Sequence, residues 1–308
     1  LGAWPIGAVR SLAEPPSGAI NRTLLVAAER GDYVLRGYRH RERGPVEREH
    51  ALIAYARERG VPAVAPLPLP GGGTILERGG RFYALFPRAP GRQIDRAELD
   101  PAAAAAMGRA LAELHRALAC YPLAQVASRS FAVDRAATLA GLARLEAAVV
   151  AAAAPEPIDQ HVLRQLRERR GWLDRAAPPA GALEEHPWQA IHGDYQETNL
   201  FFAGGAVSAI IDWDQAYAAP RAWEVVRALH LALRFIPALC DAFLAGYRAA
   251  LPLPDAELDH VAAHYCWLRA HDLWMYNAIY VERDERLRRF LEPGGFVPLS
   301  ERWAAWRK

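Results

Sequence analysis

Among 37 basic residues the chain has one lysine, Lys308, its last residue. Chemistry that runs through an internal lysine is thereby excluded: a Walker-type phosphate loop, a pyridoxal Schiff base and a Ser-Lys dyad each need one. Cysteine is scarce as well. Cys120, Cys240 and Cys266 are odd in number and far apart, which argues against a disulfide framework and for a reducing compartment. No apolar run approaches the ~18 residues of a membrane span, and the N-terminus lacks the basic-then-apolar plan of a secretory signal. The formal net charge, +2, is too small to imply nucleic-acid or lipid partners. These absences predict a cytoplasmic protein that binds neither nucleic acid nor membrane, and they leave the oligomeric state open.

What is present in quantity is apolar surface, 52% of 308 residues, enough for one long domain or two lobes. Residues 4–90 read as β-rich, with strands predicted over 6–12, 23–28, 33–37, 74–77 and 82–86. One helix is predicted within them, over 46–59, stopped by Gly60 and Pro62. Residues 87–91, rich in proline, read as a connector. Beyond Ala97 the pattern turns helical. Asp100-Pro101 supplies a cap and a first turn, and Met107, Leu111, Leu114 and Leu118 form one buried stripe that His115 adjoins as a core histidine. Further helices are predicted over 134–153, 158–173, 221–235, 238–250, 256–281, 283–291 and 300–307.

The most informative run is His192-Gly193-Asp194-Tyr195-Gln196-Glu197-Thr198-Asn199, followed thirteen residues after the asparagine by Asp212 in Ile210-Ile211-Asp212-Trp213-Asp214. Between them, short apolar runs flank Gly204-Gly205, a hairpin signature. A two-residue turn would pair Phe202 with Val207, Leu200 with Ala209 and Asn199 with Ile210. Alternation then gives Leu200, Phe202, Val207, Ala209 and Ile211 one apolar face, and Asn199 and Asp212 the other. Diagonal neighbours lie roughly 7–8 Å apart, close enough for an amide oxygen and a carboxylate to share one ion. Two oxygen ligands beside open positions suit Mg2+, which takes its other ligands from water and phosphates. Asp194, on the connecting loop, is free to reach a substrate hydroxyl.

This segment resembles the catalytic and metal-binding loops of the aminoglycoside phosphotransferase, choline kinase and type II homoserine kinase-like superfamily, small-molecule relatives of the protein kinases. The resemblance implies an α+β, two-lobed protein-kinase-like fold. Residues 1–90 would be a nucleotide-binding lobe of antiparallel sheet with one helix. Residues 91–308 would be a larger, mostly helical lobe with the catalytic and metal loops and the substrate site. It further implies Asp194 as the base or hydroxyl-orienting group, His192 as a buried organiser of its loop, and Asn199 and Asp212 as Mg2+ ligands. Many relatives carry histidine two positions after the aspartate, where this chain has Gln196.

The lysine that grips the inner phosphates of ATP in such enzymes has its counterpart in Arg36, whose fork of donors can bridge phosphate oxygens and a carboxylate. Glu49 is the acid the resemblance pairs with it. Gly18 and Asn21, at the family's spacing, are expected beside the phosphates. Phe86 and Ala89 are expected at the adenine, with Ala89 as the donor because Pro87 has no N–H. Glu224 falls where relatives have an acid that braces the metal loop.

The helix predicted over 256–281 carries Trp267, His271 and Asp272, aromatic and acidic groups that suit a cationic or sugar-like alcohol. His260 and His264 have the spacing of a zinc pair without the accompanying glutamate motif. The expected reaction is transfer of the γ-phosphoryl group of ATP, with GTP as an alternative donor, to a hydroxyl of an amino alcohol, amino acid, sugar or aminoglycoside. The same residues admit two other readings, a Ser/Thr protein kinase and a non-catalytic nucleotide-binding module.

Overall fold

Short runs of apolar, aromatic and β-branched residues, 23–28 and 82–86 among them, draw the first part of the chain into a five-stranded antiparallel sheet. A computed structural model describes residues 1–15, 22–151 and 156–308. The sheet contains β1 (Val9–Ala13), β2 (Arg22–Ala28), β3 (Gly31–Gly37), β4 (Leu76–Arg78) and β5 (Arg81–Pro87), in the order β1-β2-β3-β5-β4. Between β3 and β4 in the chain comes α1 (Arg43–Glu58), which buries Val46, Glu49, His50, Leu52, Ile53 and Ala56. On one side of the sheet Val26, Ala28 and Leu85 pack with Trp4 and Ile6. Arg36 is the penultimate residue of β3, the central strand, and lies opposite the fully buried Ala84 of β5.

The helices that follow are α2 (Pro101–Leu118), α3 (Arg135–Val150), α4 (Pro157–Arg175), α5 (Arg221–Leu231), α6 (Pro237–Ala250), α7 (Asp255–His271), α8 (Trp274–Tyr280) and α9 (Leu299–Arg307). Interleaved with them are two antiparallel pairs: β6 (Trp188–Ile191) with β9 (Tyr217–Pro220), and β7 (Leu200–Ala203) with β8 (Ala206–Ile210). Among the described residues no helix is long and apolar enough to cross a membrane.

The chain forms two compact units, Leu1–Arg129 with Pro187–Leu253, and Ser130–His186 with Pro254–Lys308. In the first, α2 and α6 cross at backbone contact. A Cβ on Gly108 would stand 2.0 Å from the Phe243 carbonyl oxygen, and one on Gly246 would stand 2.1 Å from that of Ala105. No larger residue fits at either place. In the second unit, Leu142, Leu145 and Val149 of α3 and Val162, Leu166 and Leu173 of α4 share a core with Tyr276 and Ile279 of α8.

Three expectations change. The helix predicted over 256–281 is two helices, α7 and α8, because Asp272 is extended and its carboxylate accepts from Trp274 N at 3.1 Å. Aspartate offers the backbone such an alternative to helical bonding. Residues 283–291 form a 3-10 segment, Glu285–Phe290, rather than an α-helix. The ribbon of β6 and β9, which leads into the His192-Gly193-Asp194 loop, is absent from the sequence expectation: each strand is four residues long and shows no alternation of its own.

Candidate active site

The hairpin of β7 and β8 turns at Gly204 and Gly205, both left-handed (φ +60° and +78°), as a type I′ turn demands. Its register departs from simple alternation. Phe202 faces Val207 as expected, but Phe201 faces Ala209 and Leu200 faces Ile210. Ser208 is the extra residue, a bulge that bends the strand, and its hydroxyl donates to Pro90 O at 2.7 Å. Ile210, rather than Ile211, therefore joins Leu200, Phe202 and Ala209 in the core. Ile211 N donates to Asn199 O at 3.0 Å.

Strict pleating beyond this point would not aim Asp212. A backbone turn does so: Asp212 is left-handed (φ 66°, ψ 61°) and opens the 3-10 segment Trp213–Gln215. Aspartate is among the few residues that tolerate this conformation. The hairpin is tied on both edges, by Arg92 and Phe202 exchanging bonds of 3.0 and 2.8 Å and by Ile210 N donating to Pro62 O at 2.8 Å.

The strand β6 delivers His192-Gly193-Asp194. Gly193 has φ +81°, and a Cβ there would stand 2.1 Å from Gln215 O, so only glycine lets this loop lie against the turn after Asp212. His192 is fully buried. Asp194 N donates to its Nδ1 at 3.2 Å, so Nε2 carries the ring proton and donates it to Ile211 O at 2.9 Å. One imidazole thus joins the backbone of Asp194 to the residue that precedes Asp212.

Beneath it, Glu224 of α5 accepts from His192 N at 3.0 Å and Gly193 N at 2.5 Å. The same carboxylate lies 3.0 Å from His115 Nε2, and His115 Nδ1 lies 2.8 Å from the Tyr247 hydroxyl. Burial by itself would raise the Glu224 carboxyl, yet the hydrogen bond and charge of His115, with His192 and Gly193, hold it below the ordinary glutamate value.

The Asp194 carboxylate is held from three directions. Arg227 Nη2 reaches Oδ1 at 2.8 Å, while Gln196 Nε2 and Asn199 Nδ2 reach Oδ2 at 3.1 and 2.9 Å. Asn199 Nδ2 also donates to Asp194 O at 2.8 Å. With its nitrogen committed, the amide leaves its oxygen for another group. Sequence reasoning missed Arg227. Its only signal is position: it follows Glu224 by three residues on α5, close to the same helical face.

Arg36 stands among three carboxylates. Its Nη1 lies 3.3 Å from Glu49 Oε1, and its Nη2 lies 2.8 Å from Asp212 Oδ1 and 3.0 Å from Asp214 Oδ2. The sequence-predicted pair of Arg36 and Glu49 is thus brought together with Asp212, and Asp214 is an addition. One cation among three acids leaves excess negative charge. Burial, opposed by Arg36 and reinforced by Asp214 and Asp212, pushes the Glu49 carboxyl up to about 7. Burial and the neighbouring Asp214 and Asp194 likewise raise Asp212 against the pull of Arg36.

Of the other expected residues, Phe86 is half-buried on β5 with its ring centroid 6.1 Å from that of His50, and Ala89 is half-buried just beyond the strand. Gly18 and Asn21 lie outside the described residues. Trp267, His271 and Asp272 belong to the second unit. There Trp267 packs on His271 and Trp172, with ring centroids 4.4 and 6.2 Å away, and Asp272 pairs with Arg269. His260 uses both ring nitrogens within the protein, on His186 Nε2 at 2.6 Å and Ala180 O at 3.0 Å. Among the described residues no three His, Cys, Asp or Glu side chains are grouped to hold a metal.

A β-sheet with one helix, a histidine-organised Asp-x4-Asn loop and a hairpin ending on aspartate define a kinase-like phosphotransferase. The chain belongs to the APH phosphotransferase enzyme family, whose sequence pattern matches residues 11–260. It is an enzyme that transfers a phosphoryl group to a hydroxyl.

A homoserine kinase of Chelativorans sp. (strain BNC1) is 26% identical over 264 residues, covering 83% of this chain and 76% of its own. Among solved structures, a spectinomycin phosphotransferase in complex with ADP and spectinomycin has a TM-score of 0.65 at 13% identity, covering 96% of this chain and 88% of that one. A microcompartment-associated aminopropanol kinase has a TM-score of 0.58 at 19% identity, covering 89% and 86%. At such identities the two structures share the fold.

Proposed function

We propose that the protein transfers the γ-phosphoryl group of ATP to the hydroxyl of a small amino acid or amino alcohol. Supporting the donor is the meeting of Arg36, Glu49, Asp212, Asn199 and Asp194 in one unit. Residues 1–90 would serve as the nucleotide lobe, with Phe86 and Ala89 at the base and Arg36 at the inner phosphates, and residues 91–308 would carry the catalytic loops. GTP in place of ATP is a matter for the same assay. Supporting the acceptor is the homoserine kinase that matches 83% of the chain. The three unpaired cysteines support a cytoplasmic setting.

A divalent cation, Mg2+ in this reading, suits the donor set: Asp212 is the most open of the three carboxylates around Arg36, and the Asn199 oxygen is uncommitted by the bonds of its nitrogen. Bound there, the ion would neutralise charge on the transferring phosphoryl group. Phosphoryl transfer asks little covalent chemistry of the protein, so positioning dominates. Asp194, fixed by three donors, would orient the acceptor hydroxyl and receive its proton as the new P–O bond forms and the bond from the γ-phosphorus to the β,γ-bridging oxygen breaks, leaving ADP. Arg36 would hold the inner phosphates, and His192 and Glu224 would keep the loop in place.

The test is ADP release from ATP or GTP with L-homoserine, 1-amino-2-propanol and spectinomycin, each product identified by mass spectrometry. Phosphorylated homoserine or aminopropanol is the expected result. Phosphorylation of spectinomycin alone would overturn the acceptor class, and nucleotide that never binds would overturn the donor.

A further inference from the structure

Position 36 carries arginine in a chain with no internal lysine, and the two side chains differ in what they need around them. An ammonium is a compact point charge. A guanidinium is a planar fork whose two terminal nitrogens diverge and call for separate partners. Glu49 receives Nη1. Nη2 is shared by Asp212 and Asp214, and these two differ in freedom: the Asp212 side chain is 42% exposed, the Asp214 side chain 5%. Glu49, at 4%, is as enclosed as Asp214. Arg36 therefore has two counter-charges that cannot turn away to solvent and one that can.

We propose that Asp214 is the second buried counter-charge an arginine at position 36 requires, holding its Nη2 so that Asp212 is released to a divalent cation. The inference rests on the reading of Asp212 as a metal ligand and of Arg36 as the phosphate-facing cation. Without Asp214, Nη2 has Asp212 as its remaining carboxylate, and the ion pair would compete directly with the metal. Asp214 is thus a positioning residue that acts through Arg36. The left-handed turn at Asp212 and the 3-10 segment after it bring the two acids to 2.8 and 3.0 Å from the same nitrogen.

The experiment is calorimetric titration of ATP into the full chain, with Mg2+ and with EDTA, for wild type, Asp214→Asn, Asp214→Ala, Arg36→Lys and Arg36→Lys/Asp214→Ala, each first shown by its melting curve to be folded. Asp214→Asn retains the shape of the side chain should the alanine variant fail to fold. The gain in ATP affinity on adding Mg2+ should fall about tenfold in the Asp214 variants, the size expected for one charge-assisted hydrogen bond redirected onto the metal ligand. Metal-free affinity should change much less. Arg36→Lys should restore part of the Mg2+ effect in the Asp214→Ala background, because lysine needs Glu49 alone.

Nη2 pairs with Asp212 at 2.8 Å without nucleotide, so the informative crystal is Asp214→Asn grown with ATP and Mg2+: there the pair of Nη2 with Asp212 should persist, whereas in the wild type it should open. An unchanged Mg2+ effect in the Asp214 variants, or strictly additive effects of the two substitutions, would overturn the inference and leave the functional reading intact. Wild-type protein that binds no ATP under either condition would overturn both.

Discussion

The Asn199 side-chain nitrogen donates twice to Asp194, to its backbone oxygen at 2.8 Å and to its carboxylate at 2.9 Å. The carboxylate expected to face the acceptor and the amide expected to face the metal are therefore one rigid piece. Replacing Asp194 with asparagine would set an NH2 against donors from Arg227, Gln196 or Asn199 and remove the acceptor for the hydroxyl proton. Turnover should drop by a factor on the order of 10²–10⁴, with nucleotide affinity nearly unchanged. Steady-state kinetics and calorimetry on the same preparation check this, and normal turnover would refute the role of Asp194.

Glu224 is a stability prediction. Alanine there leaves the N–H groups of His192 and Gly193 and the ring of His115 without their shared acceptor inside the protein. The cost should be about 3–5 kcal/mol, the range for breaking a buried charged pair. Denaturant unfolding measures it. Glutamine, which keeps one acceptor oxygen, should cost less.

His50 carries a pH dependence. It is buried between the Tyr38 hydroxyl at 2.8 Å and Thr74 Oγ1 at 2.6 Å, and burial, reinforced by the charge of Arg36, holds it down to about 4 against an ordinary 6.5. Its folded-state pKa lies below the unfolded value, so between these limits the unfolded chain takes the proton first. The associated stability is whole above about 6.5 and is lost as the pH falls toward 4. Full loss amounts to roughly 3 kcal/mol. The difference in unfolding free energy between wild type and His50→Gln should shrink across that window, and a flat difference would rule the assignment out.

The three thiols should react unequally. Burial pushes Cys240 and Cys266 up to about 12, whereas Cys120 is exposed. A thiol-reactive dye at mildly alkaline pH should label Cys120 alone in the native protein and all three in denaturant, because only the thiolate attacks. Peptide mapping identifies the site, and native labelling of Cys240 would contradict the burial.

Residue identity and spacing alone determined the Gly204-Gly205 turn, most helices and the local run His192-Gly193-Asp194, Asn199 and Asp212, and the resemblance of that run to a family supplied the kinase-like class. The pairing of Arg36 with Glu49 came from resemblance to a family, and the coordinates bring the two within 3.3 Å. Tertiary structure decided the rest. The bulge at Ser208 shifts the hairpin by one residue, and the left-handed turn at Asp212 re-aims its side chain, two departures that a rule built on strict alternation does not contain. Arg227 meets Asp194 only when α5 packs against the loop after β6, and Asp214 meets Arg36 only when the post-hairpin turn reaches β3. Periodicity reports which face of an element is buried. Which charges meet across elements depends on how the chain closes on itself, and contacts spanning 33 and 178 positions leave no local trace.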